Sequence, residues 1–319
     1  MGILYLMSEG TKVSKDGPRL SVERDGKLVG RMPLRMVDGV VIGYHAHVTT
    51  PVIFTLLEQK IPVIYADDSG NPIGHIQNTT QSPQRLFRQL DMFRDEATSL
   101  ELSKEVVAEK IGNQFNLLKQ YGKTKKSDEL NALAQVVRRQ SDQVLRAETL
   151  DELRGIEGMA SRVYFNAFGL ILDQGQWEWK ARSRKPGKDP VNALLNYGYA
   201  FLEREVRVAA LVCGLDVRIG FLHANDGRKD SLVFDLMELF RQPVTDRLIL
   251  SLFNLKVMKQ DDFERSKDDC RLTDEGRLMW CTRYEEYMLR EYKEYGGKTS
   301  RDMILDRVRR FATHIDRRK

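Results

Sequence analysis

The spacing of apolar residues changes once along the chain, near residues 76–84. Before this point, short runs such as RLSVER and KLVGRM alternate apolar and polar residues and end at Gly, Pro, Asp or Asn. Such alternation is typical of β-strands with one buried face. After it, apolar residues recur every three or four positions, beginning with Leu86, Leu90 and Phe93, as in amphipathic helices. The pattern predicts a strand-rich start and a helical remainder.

The first region has the turn residues and short segments that are typical of a small β-rich domain. Asp25-Gly26 separates two alternating runs and predicts a tight hairpin, since both residues tolerate the positive φ of such a turn. In TPVIFTLLEQK, Thr50 as N-cap and Pro51 at the first position predict a short helix. Further strands are predicted at Val37–Ile42 and Ile61–Tyr65. We expect a β-rich, sandwich-like domain over residues 1–77.

We interpret residues 78–319 as a larger all-α catalytic domain, which makes the chain α+β. The basic C-terminal segment RVRRFATHIDRRK is expected to be frayed. The main helices predicted from apolar spacing are Ala108–Tyr121, Leu150–Leu172, Val191–Cys213, Ser231–Leu255 and Thr273–Tyr292.

Composition narrows the class of protein. With 41% hydrophobic and 30% charged residues, the chain is typical of globular rather than disordered proteins. No apolar run reaches the roughly 18 residues of a membrane helix, and the start lacks the basic segment of a signal peptide, so we expect a cytoplasmic protein without a membrane partner. The three cysteines show no CxxC pair, which argues against a disulfide framework and a cysteine-built zinc site.

The net charge of +5 is compatible with a nucleic-acid partner, and its distribution is informative. Residues 1–77 hold 8 basic and 8 acidic residues, so the whole excess lies after them. Within residues 180–188, KARSRKPGK has five basic residues and no acidic one, and it follows two tryptophans. We expect phosphate contacts and base stacking here, with a solvated loop as the alternative. The candidate residues are Trp177, Trp179, Lys180, Arg182, Arg184, Lys185 and Lys188.

Two carboxylates lie in an otherwise apolar segment, SLVFDLMELFRQPV. Asp235 and Glu238 are three residues apart and would share one helix face. Buried carboxylates require a partner, because desolvating an unpaired charge is costly. The partner is either a cation such as Arg241 or Arg228, giving a structural ion pair, or a metal ion. The residues alone leave both alternatives open.

A third acidic residue tips the balance toward the metal. Glu157 is a lone acid between Ile156 and Gly158 at the start of an apolar-striped helix, with a carboxylate that stabilises the helix dipole as the alternative. His223 ends the apolar run IGFL and begins a polar loop, and taken by itself it is better explained as a residue that satisfies the loop. One His with two or three carboxylates suits Mg²⁺ or Mn²⁺, leaves positions for phosphate oxygens and water, and favours phosphoryl transfer. Tyr164, two helical turns after Glu157, could place its hydroxyl at the metal site or substrate, or could pack in the core.

Several runs of the sequence resemble the signature blocks of the CRISPR-associated endonuclease and integrase that inserts spacers. They are EGMASRVYF, PVNALLNYGYAFLEREVRVAALVCGLDVRIGFLH, SLVFDLMELFRQPVTDRLIL and CRLTDEG, and they occur in the family's order. The segment KIGNQ and the strand-rich start are also similar to that family. The resemblance therefore spans nearly the whole chain.

The resemblance implies a metal held by Glu157, His223 and Glu238, with Asp235 also in the active-site set. It implies an N-terminal domain that forms a homodimer, double-stranded or branched DNA as substrate, and a small second CRISPR adaptation protein as partner. In the implied reaction, a 3′-hydroxyl of a short fragment attacks a phosphodiester of the CRISPR repeat, and water in its place gives nuclease activity. Two other hypotheses are a non-catalytic nucleic-acid-binding protein and a metal phosphohydrolase of small molecules.

Overall fold

A computed structural model gives the structure of the chain and describes residues 2–67, 72–76, 78, 82–173, 175–184, 186–223, 230–267, 269–293 and 296–317. The helices are α1 (Thr50–Glu58), α2 (Pro83–Arg94), α3 (Glu96–Lys125), α4 (Asp128–Arg146), α5 (Leu150–Ile171), α6 (Pro190–Val212), α7 (Ser231–Met237), α8 (Arg247–Asn254), α9 (Asp274–Met288) and α10 (Ser300–Arg317). The strands are β1 (Gly2–Leu6), β2 (Thr11–Asp16), β3 (Arg19–Arg24), β4 (Lys27–Pro33), β5 (Val37–Ile42), β6 (His47–Val48), β7 (Val63–Ala66), β8 (Pro72–Ile76), β9 (Phe263–Arg265), β10 (Cys270–Leu272), β11 (Glu291–Tyr292) and β12 (Lys298–Thr299). Strands followed by a mainly helical region confirm the predicted α+β class.

The chain forms two compact units. The first unit contains Met1–Gln89, Arg204–Val217 and Arg301–Lys319, and the second contains Leu90–Glu203 and Arg218–Ser300. Two helical segments from late in the sequence thus join the N-terminal strands, which the predicted single boundary between residues 77 and 78 did not anticipate. A helical segment covers a sheet face when their apolar surfaces match, and that match is not visible in the local pattern of either.

Two four-stranded sheets build the first unit. One has the order β1-β5-β7-β8 and the other β4-β3-β2-β6. The predicted hairpin joins β3 to β4, with φ of 49° at Asp25 and 76° at Gly26. One apolar cluster links strands of both sheets with α1. On the other face of the first sheet, Val41 and Ile64 pack with Val208 of α6. A Cβ at Gly39 would lie 2.8 Å from a methyl group of Val208, so only glycine fits this close approach.

Capped helices build the second unit. Asp95, Ser127 and Thr149 each accept a hydrogen bond from the backbone N–H three residues later, which satisfies an otherwise unpaired donor at the start of α3, α4 and α5. The helix α3 packs against both α4 and α5. The predicted Leu150–Leu172 agrees with α5 within one residue. This bundle carries Lys110 on α3 and Glu157 on α5, two residues of the candidate site.

The predicted helix Ser231–Leu255 is interrupted. It divides into α7, a π-helical segment Arg241–Asp246, and α8. The N–H groups of residues 238–240 donate to carbonyls three residues earlier, which tightens the turn after α7. Pro243 has no N–H to donate to a residue four positions earlier, so regular α-helix cannot continue through it. Single π-turns of this kind are frequent at functional sites.

Local capping and the C-terminus also differ from expectation. The N-cap of α1 is Thr49 rather than Thr50, so Pro51 lies in the second helical position. The C-terminal segment expected to be frayed forms α10 through Arg317, with Ile315 fully buried. An ion pair between Arg85 and Asp316 holds its end. Burial against its own unit, rather than intrinsic propensity, stabilises this helix.

No helix in the described ranges has both the length and the apolar character needed to cross a bilayer.

Candidate active site

Three helices bring Glu157 and Glu238 to one cation. Glu157 belongs to α5, Glu238 follows the last residue of α7, and Lys110 lies in the middle of α3. The Lys110 Nζ donates to Glu157 Oε1, and it lies 2.7 Å from Glu238 Oε2. We call the two glutamates the acidic pair. Its members come from segments about eighty residues apart in sequence, and only the packing of the helices brings them together.

Burial differs between the members of this cluster. Lys110 and Glu238 are almost fully buried, whereas 27% of the Glu157 side chain is exposed. Ser161, one turn further along α5, donates to Glu157 Oε1 at 3.0 Å, and Gln114 of α3 donates to Ser161 at 3.3 Å. The acidic pair therefore has a closed side formed by α3 and an accessible side at Glu157.

A second cation completes the surroundings of Glu238. Arg241 Nε donates to Glu238 Oε1 at 3.0 Å, which confirms one of the predicted cation partners; the other, Arg228, lies outside the described residues. Burial alone would raise the pKa of Glu238, but Arg241 and Lys110 outweigh it and lower that pKa to about 2. Glu238 is thus a carboxylate over the whole physiological pH range.

His223 is held by Asp235. The Asp235 Oδ1 lies 2.6 Å from His223 Nδ1 and accepts the His223 backbone N–H at 2.9 Å. Its Oδ2 accepts the backbone N–H groups of Phe221 and Leu222 at 2.5 and 3.0 Å. All four contacts lie within residues 220–223, which we call the histidine loop, and α7. A Cβ at Gly220 would come within 2.6 Å of Asp235 Oδ2, so this position requires glycine.

Arg154 of α5 binds the same loop. Its Nε and Nη2 both donate to the Leu222 carbonyl, at 3.0 and 2.8 Å. Arg154 lies one helical turn before Glu157, so one helix positions both a member of the acidic pair and the loop. With Nδ1 engaged by Asp235, the other ring nitrogen of His223, Nε2, is oriented for a ligand, and 42% of the side chain is exposed.

The predicted ligands are therefore partly assembled. Lys110 joins Glu157 to Glu238, and Asp235 holds His223 in the histidine loop. Within the described ranges, no three His, Cys, Asp or Glu side chains already lie close enough together to hold a metal ion. Asp235 and Glu238 share a helix but face different partners, so Asp235 belongs to the imidazole rather than to the acidic pair.

Tyr164 does not join the acidic pair. It is fully buried, and its hydroxyl donates to Asp246 Oδ2 at 2.7 Å, which corrects the prediction that it reaches the metal site or substrate. Tyr199 donates to the other oxygen of Asp246 at 2.6 Å. Burial raises the pKa of Asp246 to about 6, although both hydroxyl donors act to lower it. The core-tyrosine interpretation is the one that this geometry supports.

The two tryptophans are part of the core. Trp177 is fully buried and packs edge-on against Phe253, so it cannot stack on a base and the prediction for this residue is wrong. Trp179 is half-buried, packs against Phe165 and Phe168, and donates its N–H to the Phe165 carbonyl at 3.1 Å. Its ring is thus engaged by α5. The sequence alone does not distinguish a tryptophan that stacks on a nucleic-acid base from one that packs in the protein core.

The basic residues of the segment 180–188 differ in their surroundings. Arg182 donates to Asn192 and Asn196 at 3.0 and 2.7 Å and lies over the Tyr199 ring, so its guanidinium serves the protein itself. Three other basic residues of the segment are exposed: Lys180, Arg184 and Lys188. Lys185 lies outside the described residues. The exposed three retain the capacity to contact phosphates.

Two site residues were not predicted from the sequence, Lys110 and Arg154. Lys110 falls at helical spacing among Val106, Val107 and Ile111 on the buried face of α3, and a lysine in such a stripe indicates a buried acidic partner. Lys110 is the first residue of KIGNQ, a segment that is also similar to the family. For Arg154, the sequence holds no sign that its partner is a backbone carbonyl.

Comparisons with known proteins agree on one family. The family model described as CRISPR associated protein Cas1 matches residues 4–286. The CRISPR-associated endonuclease Cas1 2 of Rhodospirillum rubrum is 33% identical over 301 residues, covering 90% of this chain and 86% of that protein. The CRISPR-associated endonuclease Cas1 1 of Thermus thermophilus is 32% identical over 286 residues, with the same 90% and 86% coverage.

Solved structures share the fold. A CAS1 protein from Thermotoga maritima is similar with a TM-score of 0.83 and 23% identity, covering 100% of this chain and 98% of that one. A chain of a Cas6-RT-Cas1–Cas2 complex is similar with a TM-score of 0.82 and 26% identity, covering 99% of this chain and 35% of that one.

Proposed function

Because this chain belongs to the Cas1 family, we propose that it is a metal-dependent DNA endonuclease and integrase that inserts short fragments into a CRISPR array. The observation that carries the proposal is the convergence of Glu157 and Glu238 on one cation, in a unit that also holds an imidazole oriented by Asp235. Both Glu157 and His223 are partly exposed, at 27% and 42% of their side chains.

The donor set fits a divalent metal. Glu157, Glu238 and His223 Nε2 would hold Mg²⁺ or Mn²⁺, since carboxylate oxygens and an imidazole suit these ions and Glu238 is already ionised. When bound, the ion would polarise the reacting phosphate and stabilise charge on the departing oxygen. Asp235 differs from these ligands, because its oxygens are occupied by the histidine loop.

The protein's own residues prepare the reaction. Asp235 engages Nδ1 of His223 and so leaves Nε2 as the nitrogen that would bind a metal. Arg154 fixes the loop that carries this imidazole, and Arg241 fixes one oxygen of Glu238. In strand transfer, a bond forms between the attacking 3′-oxygen and phosphorus while the bond to the departing strand's oxygen breaks. Attack by water on the same phosphorus gives hydrolysis.

We propose the path of the DNA from exposed basic residues and the protein partner from a similar solved complex. Lys180, Arg184 and Lys188 would contact the backbone of double-stranded or branched DNA, because exposed basic side chains release counterions on binding phosphate. The similar chain in a solved complex occurs with Cas2, and we propose a small protein of that kind as partner here.

The strand-rich unit would mediate a homodimer. It leaves large apolar side chains exposed, namely Val29, Tyr44, Phe54 and Ile73, at 62–74% of their accessible surface. A contiguous patch of exposed apolar groups marks an association surface, and we propose that these side chains lie at the contact between two copies. Light scattering should give twice the 36.8 kDa mass of the chain, and a steady monomer mass would contradict this part of the proposal.

The central experiment incubates the protein with a labelled branched DNA and Mn²⁺ and resolves the strands on a denaturing gel. New strand lengths that disappear with chelator are expected. A DNA-binding protein without catalytic function would bind equally with and without chelator and leave strand lengths unchanged. A small-molecule phosphohydrolase would cleave a chromogenic phosphodiester, leave the DNA intact and show no salt-dependent DNA binding.

A further inference from the structure

Lys110 occupies the position between the two carboxylates proposed as metal ligands. Its ammonium group contacts Glu157 Oε1 and lies 2.7 Å from Glu238 Oε2, and only 6% of the residue is exposed. We infer that Lys110 is a built-in counter-ion, which holds the acidic pair together in the metal-free protein and leaves it when a divalent cation binds. This inference rests on the proposed metal-dependent function.

The acidic pair needs such a charge. Two carboxylates that share a site repel each other when both are ionised, and the low dielectric around Glu238 strengthens the repulsion. Arg241 reaches only one oxygen of Glu238, and Ser161 offers Glu157 a neutral hydrogen bond. Among the described contacts, Lys110 alone links both members. Its removal therefore leaves the metal-free cluster short of one positive charge.

The same contacts conflict with a bound metal. Mg²⁺ binds carboxylate oxygens at roughly 2.0–2.1 Å. The Lys110 ammonium already contacts one oxygen of each glutamate. Ammonium and metal are both positive, so they cannot share these oxygens without strong repulsion. The lysine stem is flexible over four carbons, which lets the ammonium move while α3 stays in place.

Loss of Lys110 should therefore have two opposite effects. The metal-free protein loses stability, because the acidic pair is left without its shared cation. The metal-bound protein loses little, because the metal supplies that charge. A change that destabilises only the metal-free state must tighten metal binding by the same free energy. If Lys110 served only packing, its loss would destabilise both the metal-free and the metal-bound protein. If Lys110 helped to bind the metal, its loss would weaken the affinity for the metal.

The test compares wild-type protein, Lys110→Met and Lys123→Met. Methionine keeps the apolar stem, and Lys123 is an exposed lysine of the same helix whose replacement changes net charge equally. Thermal unfolding is followed in EDTA and in Mn²⁺, and Mn²⁺ affinity is measured by calorimetry. We expect Lys110→Met to melt lower than wild type in EDTA, to recover in Mn²⁺, and to bind Mn²⁺ roughly tenfold more tightly, a typical coupling between linked sites. Lys123→Met should match wild type.

A second variant keeps the test decisive if Lys110→Met folds poorly. Glu157→Gln removes one of the repelling charges, so adding it to Lys110→Met should raise the melting temperature in EDTA. Failure of this rescue, an unchanged melting temperature of Lys110→Met in EDTA, or equal or weaker Mn²⁺ binding by that variant would overturn the inference. If wild-type protein binds no Mn²⁺, the proposed metal function fails, while the EDTA comparison and the rescue still decide the counter-ion role.

Discussion

The two units each bury a cluster of charges, and the clusters are built differently. In the first unit, Arg301 donates from Nε and Nη2 to the two oxygens of Glu205, at 2.9 and 2.6 Å, with both side chains at most 8% exposed. In the second unit, Lys110 is shared by two carboxylates, one of which is accessible. A planar guanidinium engages both oxygens of one carboxylate, whereas the shared ammonium contacts one oxygen of each of two carboxylates.

The two clusters separate structural charge from reactive charge within one chain. The closed pair in the first unit has matched donors and acceptors, so its loss should appear in stability. The cluster in the second unit includes Glu157, a carboxylate that is partly accessible and is proposed as a metal ligand, so its loss should appear in catalysis.

The largest effect is expected at the acidic pair. Glu157→Gln removes a charged ligand with little change in shape, so strand cleavage and joining should fall by about 1000-fold, the upper range for loss of one transition-state contact. Duplex binding should persist, because it depends on basic residues. Product formation on denaturing gels and DNA binding by anisotropy provide the two readouts. Wild-type rates in a folded Glu157→Gln protein would refute the assignment of the site.

Breaking the closed pair gives the matching control. Arg301→Met leaves Glu205 buried without its bidentate partner, and the free energy of unfolding should fall by about 3 kcal/mol. Activity per folded molecule should not change. Urea unfolding measures the loss, and combining the change with Glu205→Gln should restore part of it. If Arg301→Met instead abolished strand joining at unchanged stability, the proposed contrast between the clusters would not hold.

Asp246 adds a buried carboxylate with the opposite pKa shift to that of Glu238. Its folded pKa, about 6, lies above the ordinary value of 3.8, so the folded state holds the proton more tightly. Stability from this group is complete below pH 4 and is lost as pH rises through about 6, by about 2–3 kcal/mol. Urea unfolding of wild type and Asp246→Asn between pH 4 and 7 should show this decline only in wild type. Parallel curves would mean that the pKa is ordinary.

Asp235 is expected to act through His223. Asp235→Asn replaces an acceptor of the Nδ1 proton by a group that is partly a donor, so the imidazole loses its fixed tautomer. Mn²⁺ affinity should fall by about 10- to 100-fold, the range for a partner that orients a ligand. Calorimetry measures the affinity, with urea unfolding to correct for lost loop contacts. Unaltered affinity would leave Asp235 a purely structural residue.

The smallest effect concerns the exposed basic residues. Replacing Lys180, Arg184 and Lys188 by Ala should lower the slope of log affinity against log salt by about 0.9 for each lost duplex contact. Arg182→Ala is the matched comparison, since its guanidinium bonds Asn192 within the protein and its loss should lower stability instead. Binding titrations at several salt concentrations give the slopes. Equal slopes for wild type and the triple variant would identify a solvated loop.

Much of the local structure could be predicted because it is recorded in short-range patterns. The Asp25-Gly26 turn requires positive φ, and these residues adopt it readily. The helix from Leu150 follows from apolar spacing. The need for a cation near Glu238 also followed from the sequence, because a carboxylate among apolar neighbours requires one. The resemblance supplied Glu157, His223 and Glu238 as a set.

Other features depended on which distant segments pack together. Trp177 beside a basic run is compatible with either a base or a core, and only its contact with Phe253 decides between them. Lys110 and Arg154 reveal their partners only when α3, α5 and the histidine loop lie side by side. Periodicity records which face of an element is buried but not what covers it. Long-range packing therefore decided how the carboxylates meet Lys110, while the sequence determined that they needed a cation.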